Sequence, residues 1–361
     1  MTLHGNLEIR RTVLYSKTDG EMIIPFDEYV EISGLPYKIT KQMMLKIAYY
    51  AQNQASFEAT SKLFREEFGI DISGKQIEKV AEYVGKKTFE KDTEISKNII
   101  ENMHNEIPQI EVQYRRGITL YLMTDGALVN TLLQDEKGST YREAKTVMAF
   151  TSKDIIKRKD GSKIILKKEY ASFIGSAEDF KKYVLNVAVK SGYGQINDVV
   201  ILGDGASWIR TMCSEIFPDA TQILDFYHLK ENAYSYAKSL YGDDKDAYTM
   251  WAERFMDKIV SEKTEEALAM IPSTQNALPS GTVNLKTYIE NNKDKIKYKY
   301  YQSKGYYIGS GPIESANKII VQRRLKQSGM RWSLDGAQYM LTLRSKVESN
   351  RWYEVEDILC A

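Results

Sequence analysis

From Thr40 onward the apolar residues recur at helical spacing. Met43, Met44, Ile47, Ala48 and Ala51 form one stripe, and Phe57, Ala59, Leu63, Phe64 and Phe68 form a second. Gly69 stops the second helix, and Ser73 is placed to cap a third over 74–87 that carries Ile77, Val80, Ala81 and Val84. Short helices joined through Gly69-Ile70-Asp71-Ile72 have the layout of a helix-turn-helix, in which Lys75, Gln76 and Lys79 would face a major groove. An ordinary helical hairpin gives the same pattern. Ahead of them, residues 1–38 alternate short apolar runs with turn signals (Thr18-Asp19-Gly20, Ser33-Gly34-Leu35-Pro36), which predicts a small β-containing lead-in.

The period shortens after Gly117. Ile118–Met123 is a nearly unbroken apolar run, and Ala144–Phe150 and Ile164–Phe173 are further strand candidates, the last preceded by the hairpin-type turn Lys159-Asp160-Gly161. A helix is expected over 177–190 and a buried strand at Val199–Leu202. A helix with Trp208, Ile209, Met212 and Ile216, closed by Pro218, and a short strand at Ile223-Leu224 follow. Three strands, a helix, a strand, a helix and a strand predict an α/β fold with a mixed sheet. Residues 229–305 are rich in Tyr, Lys and Glu and are broken by Pro272 and Pro279, which predicts a helical insertion; two last helices are expected over 312–327 and 333–349. The division is then a lead-in (1–38), a helical DNA-binding region (39–112), the first part of an α/β core (113–228), the insertion (229–305) and C-terminal helices of the core (306–361).

Composition narrows the class. At 43% hydrophobic and 27% charged residues, the chain of 361 residues can bury a substantial core and is not disordered as a whole. No run approaches the ~20 apolar residues of a membrane helix, and the start MTLHGNLEIRRTV has no secretory pattern. Cys213 and Cys360 suggest neither a disulfide framework nor a zinc pair, so the expected setting is a reducing cytoplasm with no membrane partner. A net charge of +1 neither requires nor forbids a polyanion, because the placement of charge decides. Lys318, Arg323, Arg324, Lys326 and Arg331 fall together with no acid among them, as a solvated helix face or a phosphate-contacting run would.

Asp125 and Asp204 occupy matching places, each after a buried apolar run and before Gly-Ala. Side chains at the carboxyl ends of strands converge on ligands in open α/β sheets. An Asp there is costly to bury unless it is hydrogen-bonded or holds a cation. Asp-Gly is equally a hairpin signal, so the matched pair carries more weight than either site alone. Glu314 lies in Gly309-Ser310-Gly311-Pro312-Ile313-Glu314, where Ser310 or Gly311 suits an N-cap and Pro312 the first turn. It would project from a helix start, towards a cation or simply as a complement to the helix dipole. Carboxylates suit Mg²⁺ or Mn²⁺, and two ions about 3.5–4 Å apart can clamp the attacking and leaving oxygens of a phosphoryl displacement. Three histidines (His4, His104, His228) without a cysteine cluster support no zinc site, and there is no Walker A run and no well-placed dinucleotide fingerprint.

The order Asp125-Gly126, Gly203-Asp204-Gly205, Asp225-Phe226-Tyr227-His228, a helical insertion and Gly309–Glu314 resembles the Mutator-like superfamily of DDE transposases. The tail Gln322–Trp332, followed by Gly336-Ala337-Gln338 and Leu341–Arg344, is similar more narrowly to bacterial insertion-sequence transposases of the ISKra type. The resemblance covers nearly the whole chain and is most specific over 309–332. It implies an RNase H-like fold with Asp125 on the first strand, Asp204 after the fourth and Glu314 on the helix after the insertion. It implies a metal-dependent enzyme that cuts DNA at transposon ends and joins them to target DNA, with Asp125, Asp204 and Glu314 holding two Mg²⁺ (or Mn²⁺) ions. Asp225 and His228 match the family's (Cys/Asp)-x-x-His signature and are implied to support the site or contact a transposon end rather than to bind metal. The partner would be double-stranded DNA, contacted by Arg323, Arg324, Lys326 and Arg331 and read by the helix with Lys75, Gln76 and Lys79. Trp332 would stack on a displaced base or fill the core. A homo-oligomer on nucleoid DNA is implied. Relatives of this type often carry a cysteine-bearing N-terminal segment, which this sequence lacks. A transposase-derived DNA-binding protein that no longer cuts and an RNase H-like nuclease without strand transfer stay open.

Overall fold

The computed structural model describes residues 1–5, 7–103, 117–272 and 281–360. Pro279, His104 and the 112/113 boundary lie outside them. The lead-in forms a two-stranded ribbon, Leu14–Tyr15 with Met22–Ile23, and a one-turn helix, Pro25–Tyr29. Helices α1 (Lys41–Asn53), α2 (Phe57–Phe68) and α3 (Gly74–Asn102) follow. Gly69 closes α2 in the left-handed conformation at φ 63°, and Ser73 caps α3 in a reciprocal capping box with Gln76.

α3 runs well beyond the expected end near residue 87, because no breaker follows and Phe89, Ile99 and Ile100 extend its apolar face onto the core. Gly85 lies within α3 where a Cβ would stand 2.7 Å from Tyr339 Cβ; only glycine admits that approach of two helices. Ser96 of α3 accepts a bond from Asn186 at 2.9 Å, so the helical region packs directly on the α/β core.

That core is a five-stranded sheet of β1 (Thr119–Asn130), β2 (Tyr141–Thr151), β3 (Glu169–Ile174), β4 (Asp198–Gly203) and β5 (Thr221–Leu224). The spatial order is β3-β2-β1-β4-β5, with β2 alone running against the other four. The expected strand at 164–173 is two pieces. Lys163–Ile165 pairs with Ile155–Lys157 in a separate ribbon, and only Glu169–Ile174 joins the sheet.

Alternation gives both faces of the sheet a core. Leu120, Leu122, Val147, Ala149, Val199 and Ile201 pack on α4 (Ala177–Lys190) and α5 (Ser207–Ile216). Tyr121, Met123, Met148, Phe150, Val200 and Leu202 belong to the opposite core, shared with α1–α3, the insertion and the C-terminal helices. The insertion comprises α6 (Phe226–Tyr241), α7 (Lys245–Val260), α8 (Thr264–Ala269), α9 (Leu285–Asn291) and α10 (Tyr298–Ser303). After it come α11 (Gly311–Asn317), which continues through a π-turn at Lys318–Gln322 into Arg323–Leu325, then α12 (Leu334–Glu348) and α13 (Trp352–Cys360). No described helix is long and apolar enough to cross a membrane.

An ion network locks the layers at one edge. Buried Lys346 of α12 bonds Asp92 of α3 at 2.6 Å and also Glu354 of α13, which Lys190 and Arg351 reach at 3.0 Å each. Burial alone would raise the Glu354 carboxyl, but Lys346 and Lys190 overcome it and pull it down to about 2. The folded value lies below the ordinary 4.5, so the stabilisation is present above 4.5 and is lost as pH falls from there towards 2. Glu354→Gln should therefore flatten the acid limb of stability by roughly 1–2 kcal/mol, allowing for solvent screening. Urea unfolding from about pH 6 to about pH 3 measures this; an unchanged acid limb would remove Glu354 from the account.

Candidate functional site

Asp125 is not at a strand end. β1 continues to Asn130, with Asp125 opposite Thr146 and Gly126 opposite Lys145, because Ala127–Asn130 keep their partners Tyr141–Ala144. What ends before Asp125 is the parallel ladder to β4, whose last pair is Met123 with Leu202. Beyond it Thr124 still faces Gly203, since a Cβ on Gly203 would stand 3.5 Å from Thr124 Oγ1. One step further along each strand come Asp125 and Asp204. Asp125 shares the parity of Tyr121 and Met123 and so aims to the face covered by α11, while Asp204 sits in the bend after β4, near enough for its charge to act on Asp125.

The surroundings of Asp125 come from α11. Asn317 Nδ2 donates to Asp125 Oδ2 at 2.7 Å, and the Gly126 N–H donates to Oδ1 at 2.8 Å. Burial pushes the Asp125 carboxyl above the ordinary carboxylate range; the two hydrogen bonds and His228 oppose the shift, while the charge of Asp204 adds to it. Asp125 and Glu314 line one open cleft of about 620 Å³, together with Asn317, Lys318, Gln322 and Lys326. Asp204 lies outside that lining. Its Oδ1 accepts from the Ala206 N–H at 2.9 Å, and its carbonyl accepts the Tyr288 hydroxyl at 2.6 Å. Gly205 makes the turn at φ +85°, where a Cβ would stand 2.8 Å from Leu224 Cδ1 and 3.0 Å from Asn292 Nδ2.

Glu314 is in the first turn of α11, as expected, but Ser310 does not cap the helix with its side chain; its hydroxyl donates to Glu314 Oε1 instead. Asp225 joins the parts. It is wholly buried at the N-cap of α6, its N–H donates to Gly203 O at 2.8 Å, and its Oδ1 accepts from Tyr227 N at 2.8 Å and Ser310 N at 3.3 Å. One residue thus fixes the end of β4, through its backbone N–H, against the start of the Glu314 helix, through its side chain. His228 Nε2 stands 3.9 Å from Asp225 Oδ2, and its Nδ1 is 3.9 Å from Glu231. Sequence reasoning misses Asn317, although it lies three residues after Glu314 and hence on the same helical face.

The basic residues divide. Arg323, Lys326 and Arg331 are exposed, and Lys326 lines the cleft. Arg324 is 1% exposed: its Nε donates to Ala51 O at 3.0 Å and its guanidinium packs between Phe57 and Trp332, so a phosphate cannot reach it without unpacking the core. Trp332 is likewise buried and fills the core. On α3, Lys75 and Lys79 are exposed beside Glu78 and Glu82, at 2.8 and 3.5 Å, whereas Gln76 is half-buried with its Oε1 engaged in the capping box.

Among the described residues no three His, Cys, Asp or Glu side chains stand close enough to hold a metal ion in this arrangement. The donors nevertheless suit a hard divalent cation, which takes few protein oxygens and completes its shell with water and phosphate. Asp125 and Asp204 lie close enough for their charges to interact, and Asn317 Oδ1, beside Asp125, is buried without a hydrogen-bond partner.

Fold and site together define a mixed α/β protein with an acidic, lysine-edged cleft between the middle of its sheet and the helix after its insertion. Over residues 1–357 the chain matches the uncharacterised protein family UPF0236, and it belongs to that family. No curated protein matches it.

Proposed function

We propose that the protein is a DDE transposase of Mutator-like, insertion-sequence type with an RNase H-like core, cutting DNA at transposon ends and joining the freed ends to target DNA. The observation that carries it is that Asp125, just past the end of the parallel ladder, and Asp204, in the bend that follows neighbouring β4, come close enough for their charges to interact, with α11 bringing Glu314 and Asn317 over Asp125. The strand order β3-β2-β1-β4-β5 with β2 reversed, and a helical insertion between β5 and α11, support the RNase H-like assignment.

Asp125, Asp204 and Glu314 would hold the divalent ions, which when bound supply the Lewis acidity that in-line displacement at phosphorus needs. Asn317 holds Asp125 in place, and Asp225 keeps the Asp204 and Glu314 segments in register. Lys318, Gln322 and Lys326 line the same cleft and can grip the phosphates flanking the reacting one. In the first reaction a water oxygen bonds to phosphorus and the bond to the 3′ oxygen breaks, freeing a 3′-OH. In the second that hydroxyl bonds to a target phosphorus as a target P–O bond breaks. Each makes and breaks one bond, so one site serves both.

The test is a duplex carrying the ends of the DNA element that encodes the chain, incubated with the protein and Mg²⁺ or EDTA. Mg²⁺-dependent nicking and joined products are expected. Nicking without joining would point to a nuclease, and binding without nicking to a DNA-binding protein that no longer cuts.

A further inference from the structure

The ribbon between β2 and β3 has a charge balance unlike that of the whole chain. From Lys153 to Lys168 it carries seven cations (Lys153, Lys157, Arg158, Lys159, Lys163, Lys167, Lys168) against two acids. Both acids are engaged locally. Asp154 accepts the Thr151 N–H and hydroxyl at 3.0 and 2.6 Å, and Asp160 accepts those of Ser162 at 2.9 and 2.6 Å. Among the described residues none of the seven cations forms an ion pair, while Lys190, which lines the groove at the base of the ribbon, does. Lys157, Arg158 and Lys159 are exposed at the tip, where the chain turns at Gly161 with φ +84°, and Lys153, Lys167 and Lys168 line a groove of about 400 Å³ at the base.

Unpaired like charges on a narrow two-stranded arm are self-repelling, and a polyanion relieves the repulsion by counterion release. The arm is also tied to the candidate site. Lys163 Nζ lies 4.7 Å from the centre of the Tyr307 ring, on the segment that leads to Ser310 and Glu314. The ribbon leaves the sheet beside Leu120, the partner of Thr151. That is five residues back along β1 from Asp125, or about 17 Å at ~3.4 Å per residue, a distance matching about five base pairs of duplex.

We propose that residues 152–168 form a second nucleic-acid contact, a basic β-ribbon that grips the backbone of duplex DNA within one helical turn of the phosphate in the cleft. It presupposes duplex DNA as the partner but not cleavage. A two-stranded ribbon has the width to enter a major groove, and cations at both its tip and its base can meet phosphates on either side.

The test uses the full chain in EDTA, so that no cutting occurs, and a labelled duplex of about 30 base pairs at several salt concentrations. Lys157→Ala, Arg158→Ala and Lys159→Ala combined should weaken binding about tenfold or more at low salt. The slope of log K against log salt should fall by about 2–3, near 0.9 for each phosphate that the ribbon no longer neutralises. The melting temperature should stay unchanged, because these side chains are exposed and unpartnered. A charge-matched control with Lys286, Lys297 and Lys299 changed to Ala should retain its slope. An unchanged slope in the ribbon variant, an equal loss in the control, or a ribbon-dependent affinity for phosphatidylglycerol vesicles but not for duplex would each overturn the proposal. Ribbon-dependent binding by a protein that does not nick with Mg²⁺ would sink only the transposase reading.

Discussion

Replacing Asp125 by Asn should abolish Mg²⁺-dependent strand cleavage, lowering it by roughly 10²–10⁴-fold, while duplex affinity in EDTA stays within about twofold. The substitution keeps the size of the side chain and leaves an oxygen to accept the Gly126 N–H, but removes the negative charge that a cation would neutralise. Asp204→Asn and Glu314→Gln should match it, and pairwise combinations should be little worse than the single changes, because groups that act as one unit are not additive. Asn317→Ala should cost less, about tenfold, since it loses only the 2.7 Å bond that orients Asp125. Full cleavage by any one carboxylate variant would remove that residue from the site. Equal loss of binding and cleavage would mean that the substitutions damage the fold and not the chemistry.

Asp225 provides the contrast. It is buried, and its partners are the backbone N–H groups of Tyr227 and Ser310, so its role runs through other residues. The same segment explains Gly309, where a Cβ would stand 2.4 Å from the Tyr227 ring. A larger residue there would have to displace the exposed Tyr227 ring, which sits at the joint between α6 and α11. The (Asp)-x-x-His pattern and the Gly-Ser-Gly-Pro-Ile-Glu block, distant in sequence, are thus two sides of one joint.

Much of this was legible in the chain. Periodicity placed α1, α2, α4, α5 and the sheet strands, because each buries a continuous stripe whose spacing needs no knowledge of its neighbour. Three features depended on tertiary partners and were not legible. Asp125-Gly126 reads locally as a strand end, yet β2 holds β1 in register for five more residues. Ile164–Phe173 reads as one strand, yet Lys163–Ile165 finds its partner in Ile155–Lys157 and leaves the sheet to Glu169–Ile174. The basic run reads as one exposed face, yet Arg324 continues the buried spacing of Asn317, Ile320 and Val321 and turns inward to find its acceptor in the Ala51 carbonyl of α1, beside exposed Arg323. The ribbon cations, by contrast, were visible in the sequence. Their isolation from acids was not, since it depends on which side chains the fold brings near.

That inward turn leads to the second large effect. Arg324 and Arg344 are each 1% exposed, and both reach the last carbonyls of α1, which the helix itself cannot satisfy. Arg324 Nε bonds Ala51 O at 3.0 Å, and Arg344 Nη1 bonds Gln52 O at 2.6 Å. Arg344 also donates from Nε to Ile319 O at 3.0 Å and Ile320 O at 2.9 Å, carbonyls within the π-turn. Burial lowers both guanidinium groups to about 10, so they remain cationic at neutral pH, where their charge favours the negative end of α1. One cation therefore fastens the helical region, the π-turn and α12 together. Arg344→Ala would strand these carbonyls in a dry interior and should cost about 3–5 kcal/mol of stability. Arg344→Lys keeps the charge but cannot fork between α1 and the π-turn, and should lose roughly half as much. Arg323→Ala, one position before Arg324 but exposed, should change stability by less than about 0.5 kcal/mol while weakening duplex binding. Urea unfolding of the three variants separates these outcomes. A loss below about 1 kcal/mol in Arg344→Ala would mean that packing, and not the guanidinium, holds α1 to the core.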